Sequence, residues 1–200
     1  MSLASSLREA LDLGQSRSPI LFAGDSLDPI AIEDGLITPA AVLVPIVDRS
    51  EPTVILTLRP ETMRKHAGQI SFPGGRIDPG DEGPVDAALR EAEEEIALPR
   101  SAVDIVGTAD RYRTITGFEV TPVLGVIPPD LPLAAYEQEV AAIFEAPLHY
   151  LLKPEHHLVR TVMWRGHERR YYEINWQGRR IWGATAAMIV NLSRRLELVA

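Results

Sequence analysis

The sequence contains no cysteine. That absence excludes disulfides, thiolate zinc sites and cysteine nucleophiles together, and makes a reducing compartment the simplest home for the chain. Positive charge is in short supply as well: 20 Lys and Arg stand against 28 Asp and Glu, a formal net charge of -8. A general nucleic-acid binder holds phosphate backbones with clustered Lys and Arg, so that class is excluded. Any phosphate this protein meets must be reached through local basic groups or a cation. No apolar run approaches the roughly 20 residues that span a bilayer. The opening MSLASSLREALDLGQ carries Glu9 and Asp12 where a signal peptide would have a long apolar stretch. The expectation is a cytoplasmic protein with a small-molecule substrate and neither nucleic acid nor membrane as partner. Internal repeats and low-complexity segments are also missing.

What is present suits one domain over residues 1 to 200, with 46% of residues hydrophobic. Residues 2 to 13 read as a helix, followed by a Gly/Ser/Pro/Asp-rich stretch; together, residues 1 to 38 form an arm that could serve a homodimer interface. The aliphatic runs 40 to 48 and 53 to 59 flank a turn and predict a hairpin, and residues 69 to 72 a short third strand. Further strands are expected over 103 to 113, 117 to 127, 158 to 165 and 169 to 176. A short helix is expected over 137 to 143 and a closing one over 182 to 199. Strands dominate and the helices lie far apart in sequence, which implies a mixed α/β sheet between helices.

The densest chemistry lies in GQISFPGGRIDPGDEGPVDAALREAEEEIAL, residues 68 to 98. On a helical wheel at about 100° per residue, Val85, Ala88, Leu89, Ala92 and Ile96 make one apolar stripe. Glu91, Glu94 and Glu95 make a contiguous acidic strip, and Glu93 falls outside it. Like charges at i, i+3 and i, i+4 repel, and three close carboxylates resist ionising together. Such a strip is either a solvated face or a site where a divalent cation offsets the repulsion with hard oxygen ligands. Arg90 is placed to reach Glu94 or Asp86 and so to orient a carboxylate. Gly74 and Gly75, just upstream, allow the close approach of a backbone carbonyl or N–H to an ion or phosphate.

This pattern resembles the Nudix hydrolase box: glycine, a short loop, Glu82, seven residues, then Arg90-Glu91-Ala92-Glu93-Glu94-Glu95. The loop from Gly75 to Glu82 has six residues where the family has five, and Ala97 stands where the box ends in glycine. Upstream, ILTLRPETMRKHAGQISFPGG resembles the signature of the coenzyme A pyrophosphatase branch, with Leu56, Thr57, Arg59, Arg64, Gly68, Phe72, Pro73, Gly74 and Gly75 in register. Ile55 and Pro60 are mismatches. The later EVAAIFEAPLHYLL and RRYYEINWQGRRIWGATAAM are similar to that branch too.

The resemblance implies an α/β/α sandwich with a mixed sheet and a catalytic loop-helix-loop. It implies Mg²⁺ or Mn²⁺ held by Glu91 and Glu95, with Glu94 and Gly75 alongside, and a substrate with a nucleoside diphosphate linked to another moiety. In the resembled branch that is coenzyme A or an acyl-coenzyme A, cut to 3′,5′-ADP and 4′-phosphopantetheine or its acyl form. A general base is needed, and Glu94 of the box and Glu139 of the later segment are both candidates. Arg59, Arg64 and Lys65 form the basic patch suited to a 3′-phosphate, with Arg76 a further phosphate ligand. His66 reads as a polar loop residue, and His156 and His157 as a solvated turn. The Trp and Tyr residues read as core, although one of them could cover the adenine. Hydrolysis of another nucleoside diphosphate derivative such as ADP-ribose, or a non-catalytic nucleotide-binding regulator, remain the alternatives.

Overall fold

The structure, a computed structural model, describes residues 1–14, 37–63, 66–114, 116–164 and 166–196. Most of the expected arm, and with it the interface suggested for it, lies outside those residues. In chain order the elements are α1 (Leu3–Gly14), β1 (Thr38–Val47), β2 (Thr53–Leu58), β3 (Ile70–Ser71), β4 (Gly74–Arg76), α2 (Pro84–Ile96), β5 (Asp104–Thr108), β6 (Tyr112–Arg113), β7 (Phe118–Ile127), β8 (Ala142–Pro147), α3 (Leu148–Leu152), β9 (Leu158–Trp164), β10 (His167–Trp176), β11 (Arg179–Trp182) and α4 (Ala184–Arg195). None of the described helices is long and apolar enough to cross a membrane.

The centre of the large mixed sheet is a parallel pair. β1 and β7 run side by side from Thr38 against Phe118 to Val47 against Ile127. Parallel strands are covered on both faces and so carry near-continuous apolar sequence, which is what VLVPIV and VLGVI provide. Antiparallel partners complete the sheet: β2 and β4 on β1, β3 and β8 on β2, and β5 and β6 on β7. The hairpin expected over 40 to 59 is present, but β1 and β2 pair only at Ile46 with Val54 and Val47 with Thr53. Further along β1 its partner is β4. Glycines are poor strand formers, so the sequence reading saw only a corner there.

Helices cover both faces. Alternate residues of β1 divide between two cores: Ala41, Leu43 and Val47 pack with Ala88, Ala92 and Ile96 of α2, while Ala40, Val44 and Ile46 join Leu7 and Leu11 of α1 and Met188 and Ile189 of α4. A separate three-stranded sheet, ordered β11-β10-β9, adds Tyr172, Ile174 and Ile181 to the second core. This is the mixed-sheet α/β architecture that the sequence implies.

Three expectations need correction. Residues 137 to 143 are not helical: they form a turn and the start of β8, because Ile143 and Phe144 pair onto β2 at Thr57 and Leu56, where a sheet edge was available. The strand expected over 103 to 113 is two, β5 with a bulge between Ile105 and Gly107, and β6. The closing helix starts at Ala184, because residues 179 to 182 pair with β10 and Gly183 turns the chain at φ 63°.

The two end helices are fastened to each other. Arg195, buried on α4, donates from Nε to Asp110 Oδ2 at 2.7 Å and from Nη1 to the carbonyl of Gly14 at the end of α1. A methyl group at Gly14 would overlap the Arg195 carbonyl, so only glycine allows the two helix ends to approach this closely.

Candidate active site

The site is built where the FPGG corner meets α2. Gly74 lies against the backbone of Ala41 and Val42, too close for any side chain, and the Leu43 amide donates to the Pro73 carbonyl at 2.9 Å. The corner is thereby fixed to β1. α2 opens with Pro84 at its first turn, where a missing amide costs nothing, and carries Asp86 near the positive end of its dipole. Three alanines, Ala87, Ala88 and Ala92, are fully buried and bring the helix close to the sheet. Ala87 was not on the expected apolar stripe. The helix ends with Ala97 in the left-handed region at φ 54°, its amide bonded back to Glu93, where the family box has glycine.

Corner and helix meet through two glutamates. The Gly74 amide donates to Glu95 Oε2 at 3.2 Å. The Glu91 carboxylate rests on Gly75 so closely that a methyl there would overlap it. Glu95 is only 4% exposed. Burial pushes its carboxyl up to about 8, the charges of Glu91 and Glu139 add to the rise, and the Gly74 amide and Arg59 oppose it. Glu91 is also pushed up, chiefly by burial, against the opposing Arg90 guanidinium.

Arg90 is the hub of the acidic strip. Its Nε and Nη2 grip Asp81 at 2.9 and 3.0 Å, a bidentate pair, while Nη1 reaches Glu91 at 3.0 Å and Glu94 at 3.1 Å. Nη2 also donates to the Arg76 carbonyl at 3.0 Å, tying the helix to the loop after β4. This guanidinium holds the Asp81 carboxyl down at about 2.

Glu139, an exposed side chain on the segment that follows β7, acts on Glu91 and Glu95 through its charge. The Tyr136 and Ala134 amides cap the free carbonyls of Glu95 and Ile96 at the end of α2, and the Ala141 amide donates to Leu58. The segment that carries Glu139 is thus stapled between the helix end and the strand that leads into Arg59. Arg59 Nε is buried and has no hydrogen-bond partner among the described residues.

The structure brings together Glu91, Glu94, Glu95, Arg90, Gly74 and Gly75, with Glu139 and Arg59 alongside. Arg64 and Lys65 lie outside the described residues. The Arg76 side chain is exposed and sits over the Phe118 ring. Arg90 takes Glu94, as the spacing allows, but not Asp86, which Arg100 holds at 2.7 Å. Glu93 pairs with the same Arg100 at 3.0 Å. Glu82 is exposed and its backbone amide caps Asp86, so the acidic residue that faces Arg90 is Asp81. Sequence reasoning missed Asp81, although five residues separate it from Gly75, the family's own spacing. His156 and His157 are half-buried caps on the carbonyls of Tyr150 and Leu151, not a solvated turn. His66 is an exposed loop residue bonded to Gln69.

Among the described residues no three His, Asp or Glu side chains are already gathered as a metal cage. The donor chemistry nevertheless fits a hard divalent cation: buried Glu95 and half-buried Glu91 repel each other and are pushed toward neutrality, a penalty that a bound cation would reverse.

Comparison with known proteins identifies the frame. The NUDIX domain model matches residues 37–169. The chain is 48% identical over 157 residues to a Cronobacter sakazakii protein described as an uncharacterized Nudix hydrolase, NudL, covering 78% of this chain and 82% of that one. The protein of the same description from Escherichia coli strain K12 is 45% identical over 157 residues, with the same shares covered. Among solved structures, the Mycobacterium smegmatis (M. Smegmatis) Nudix hydrolase RenU aligns with 56% of this chain and 71% of its own, at 23% identity and a TM-score of 0.48. With its box folded as a loop and helix against the sheet, this chain belongs to the Nudix hydrolases, enzymes that cleave phosphorus-containing anhydrides.

Proposed function

We propose that this protein cleaves the diphosphate of coenzyme A or an acyl-coenzyme A, releasing 3′,5′-ADP and 4′-phosphopantetheine or its acyl derivative. Nudix hydrolases generally use divalent metals such as Mg²⁺ or Mn²⁺. In this reading Glu91 and Glu95 hold the cation, with Glu94 and the Gly75 carbonyl beside them. A cation bound there supplies charge neutralisation at the diphosphate and acidifies a nearby water. Arg90, anchored on Asp81, keeps Glu91 and Glu94 oriented. The proton of the attacking water goes to Glu139 or Glu94.

One observation supports a phosphate ligand at the segment that resembles the coenzyme A signature. Arg59, from the segment that resembles the coenzyme A signature, carries a buried Nε with no described partner next to Glu95. A buried guanidinium N–H left unbonded costs stability, and a substrate phosphate would satisfy it. Arg64 and Lys65, five and six positions further on, would extend the same recognition.

The test is product analysis after incubation with coenzyme A, ADP-ribose and a dinucleoside polyphosphate, each with and without Mg²⁺ or Mn²⁺. Metal-dependent release of 3′,5′-ADP from coenzyme A is the expected result. Cleavage of ADP-ribose with coenzyme A untouched would assign another Nudix substrate, and cleavage of none would favour a nucleotide-binding regulator.

A further inference from the structure

β9 is the outer strand of the three-stranded sheet and pairs with no strand other than β10 among the described residues. It meets β10 at consecutive positions from Leu158 with Glu173 to Trp164 with His167, with no bulge. Natural edge strands are usually blunted by Pro, charged side chains or a bulge, and LVRTVMW has a single charge, Arg160, with neither Pro nor bulge. It carries instead Val159, Val162 and Met163, exposed at 51%, 46% and 66%, three of the six exposed large hydrophobics among the described residues. Single exposed apolar residues are ordinary, but three on one edge strand are not.

The strand is also complementary to itself. In an antiparallel pairing about a two-fold axis at Thr161, Val159 faces Met163 of a second copy, Thr161 faces Thr161, and Met163 faces Val159. That gives an apolar and hydroxyl ladder on one face of the sheet. On the other face Arg160 lies opposite Val162 of the second copy, so no like charges meet. Moving the axis to Arg160 would set two guanidiniums against each other.

We propose that this face docks a second copy of the chain, β9 against β9, and extends two three-stranded sheets into one. The contact is isologous and consumes both edges, so assembly stops at two. A pair of seven-residue strands buries well under the about 800 Å² per partner of a standard interface, so the dimer is weak and concentration-dependent.

The test is sedimentation of the full chain, of 22.0 kDa, over about 1 to 100 µM, the range in which sub-standard interfaces associate. Wild type should pass from monomer to dimer across that range. Val159→Lys alone and Met163→Glu alone should each weaken association at least about 10-fold, since each buries an unpaired charge at the contact. The double substitution Val159→Lys with Met163→Glu should recover to within about 3-fold of wild type, because this register sets each new charge against its opposite on the second copy. Both side chains are exposed, so unchanged circular dichroism accompanies the expected result. A wild type that stays monomeric overturns the proposal. So do assemblies larger than two, single substitutions without effect, or a double no better than the singles.

Discussion

Replacing Glu95 with glutamine should make the metal-free protein more stable while removing its activity. In the fold Glu95 titrates at about 8, against 4.5 for an ordinary glutamate. A carboxyl raised in this way binds a proton more tightly folded than unfolded, so its contribution to stability is intact below 4.5 and is lost as pH rises toward 8. At about 1.4 kcal/mol per pH unit, the loss reaches about 3 kcal/mol at pH 7. Glutamine keeps an acceptor for the Gly74 amide and does not ionise, so Glu95→Gln avoids that loss. Urea unfolding in chelator, from about pH 5 to about pH 9, should show the variant gaining on wild type up to about pH 8 and holding its lead above it. For a chain of this size the lead at neutral pH corresponds to roughly 10 °C in Tm. Saturating Mg²⁺ or Mn²⁺ should stabilise wild type and not the variant, because a ligand stabilises only the state that binds it. Turnover should fall at least about 100-fold. A variant less stable than wild type near pH 8 without metal, or a gap that does not grow with pH, would refute the reasoning.

Gly75→Ala puts a methyl into the space of the Glu91 carboxylate, whose flexible end can swing aside. It should lower turnover at least about 10-fold at fixed metal with little change in stability, while Gly80→Ala, which meets open space, should be silent in both assays. Because Asp81 acts on the site only through Arg90, Asp81→Ala and Arg90→Ala should not add. The double variant should lose no more than about 2-fold in kcat/KM beyond Arg90→Ala, and fully additive losses would separate the two residues. Ala97→Gly should raise stability by about 0.5 to 1 kcal/mol in chemical unfolding, since glycine holds a positive φ without strain.

The parts of the fold most legible in the sequence were those set by apolar periodicity. The stripe on α2 and the aliphatic runs of β1 and β7 mark these elements whatever the rest of the chain does, although not that β1 and β7 pair. What escaped was set by tertiary context. β4 is a strand only because β1 offers an edge to Gly74 and Gly75, and β8 displaced a helix because β2 had an edge to fill. The acidic strip was legible as a cluster, but the wheel gave its members equal standing. The structure separates them: Glu95 is buried, Glu91 is half-buried against a glycine, and Glu94 is exposed on Arg90. Asp81 was hidden because a one-residue-longer loop keeps Glu82 in box register with Arg90 while turning Asp81 toward the guanidinium.

The clasp that Arg195 makes with Gly14 and Asp110 has a consequence for how the protein is made. One apolar face of the large sheet is closed by α1 and α4 together, so it is only partly covered until α4 has left the ribosome. A nascent chain that stalls before residue 184 presents Val44, Ile46 and their neighbours with no α4 to cover them. Synthesis should then depend on chaperones until α4 is in place. A ribosome-release or pulse-proteolysis series along the chain should show protection of β1 and β7 arriving late and in one step, with α4 (Ala184–Arg195).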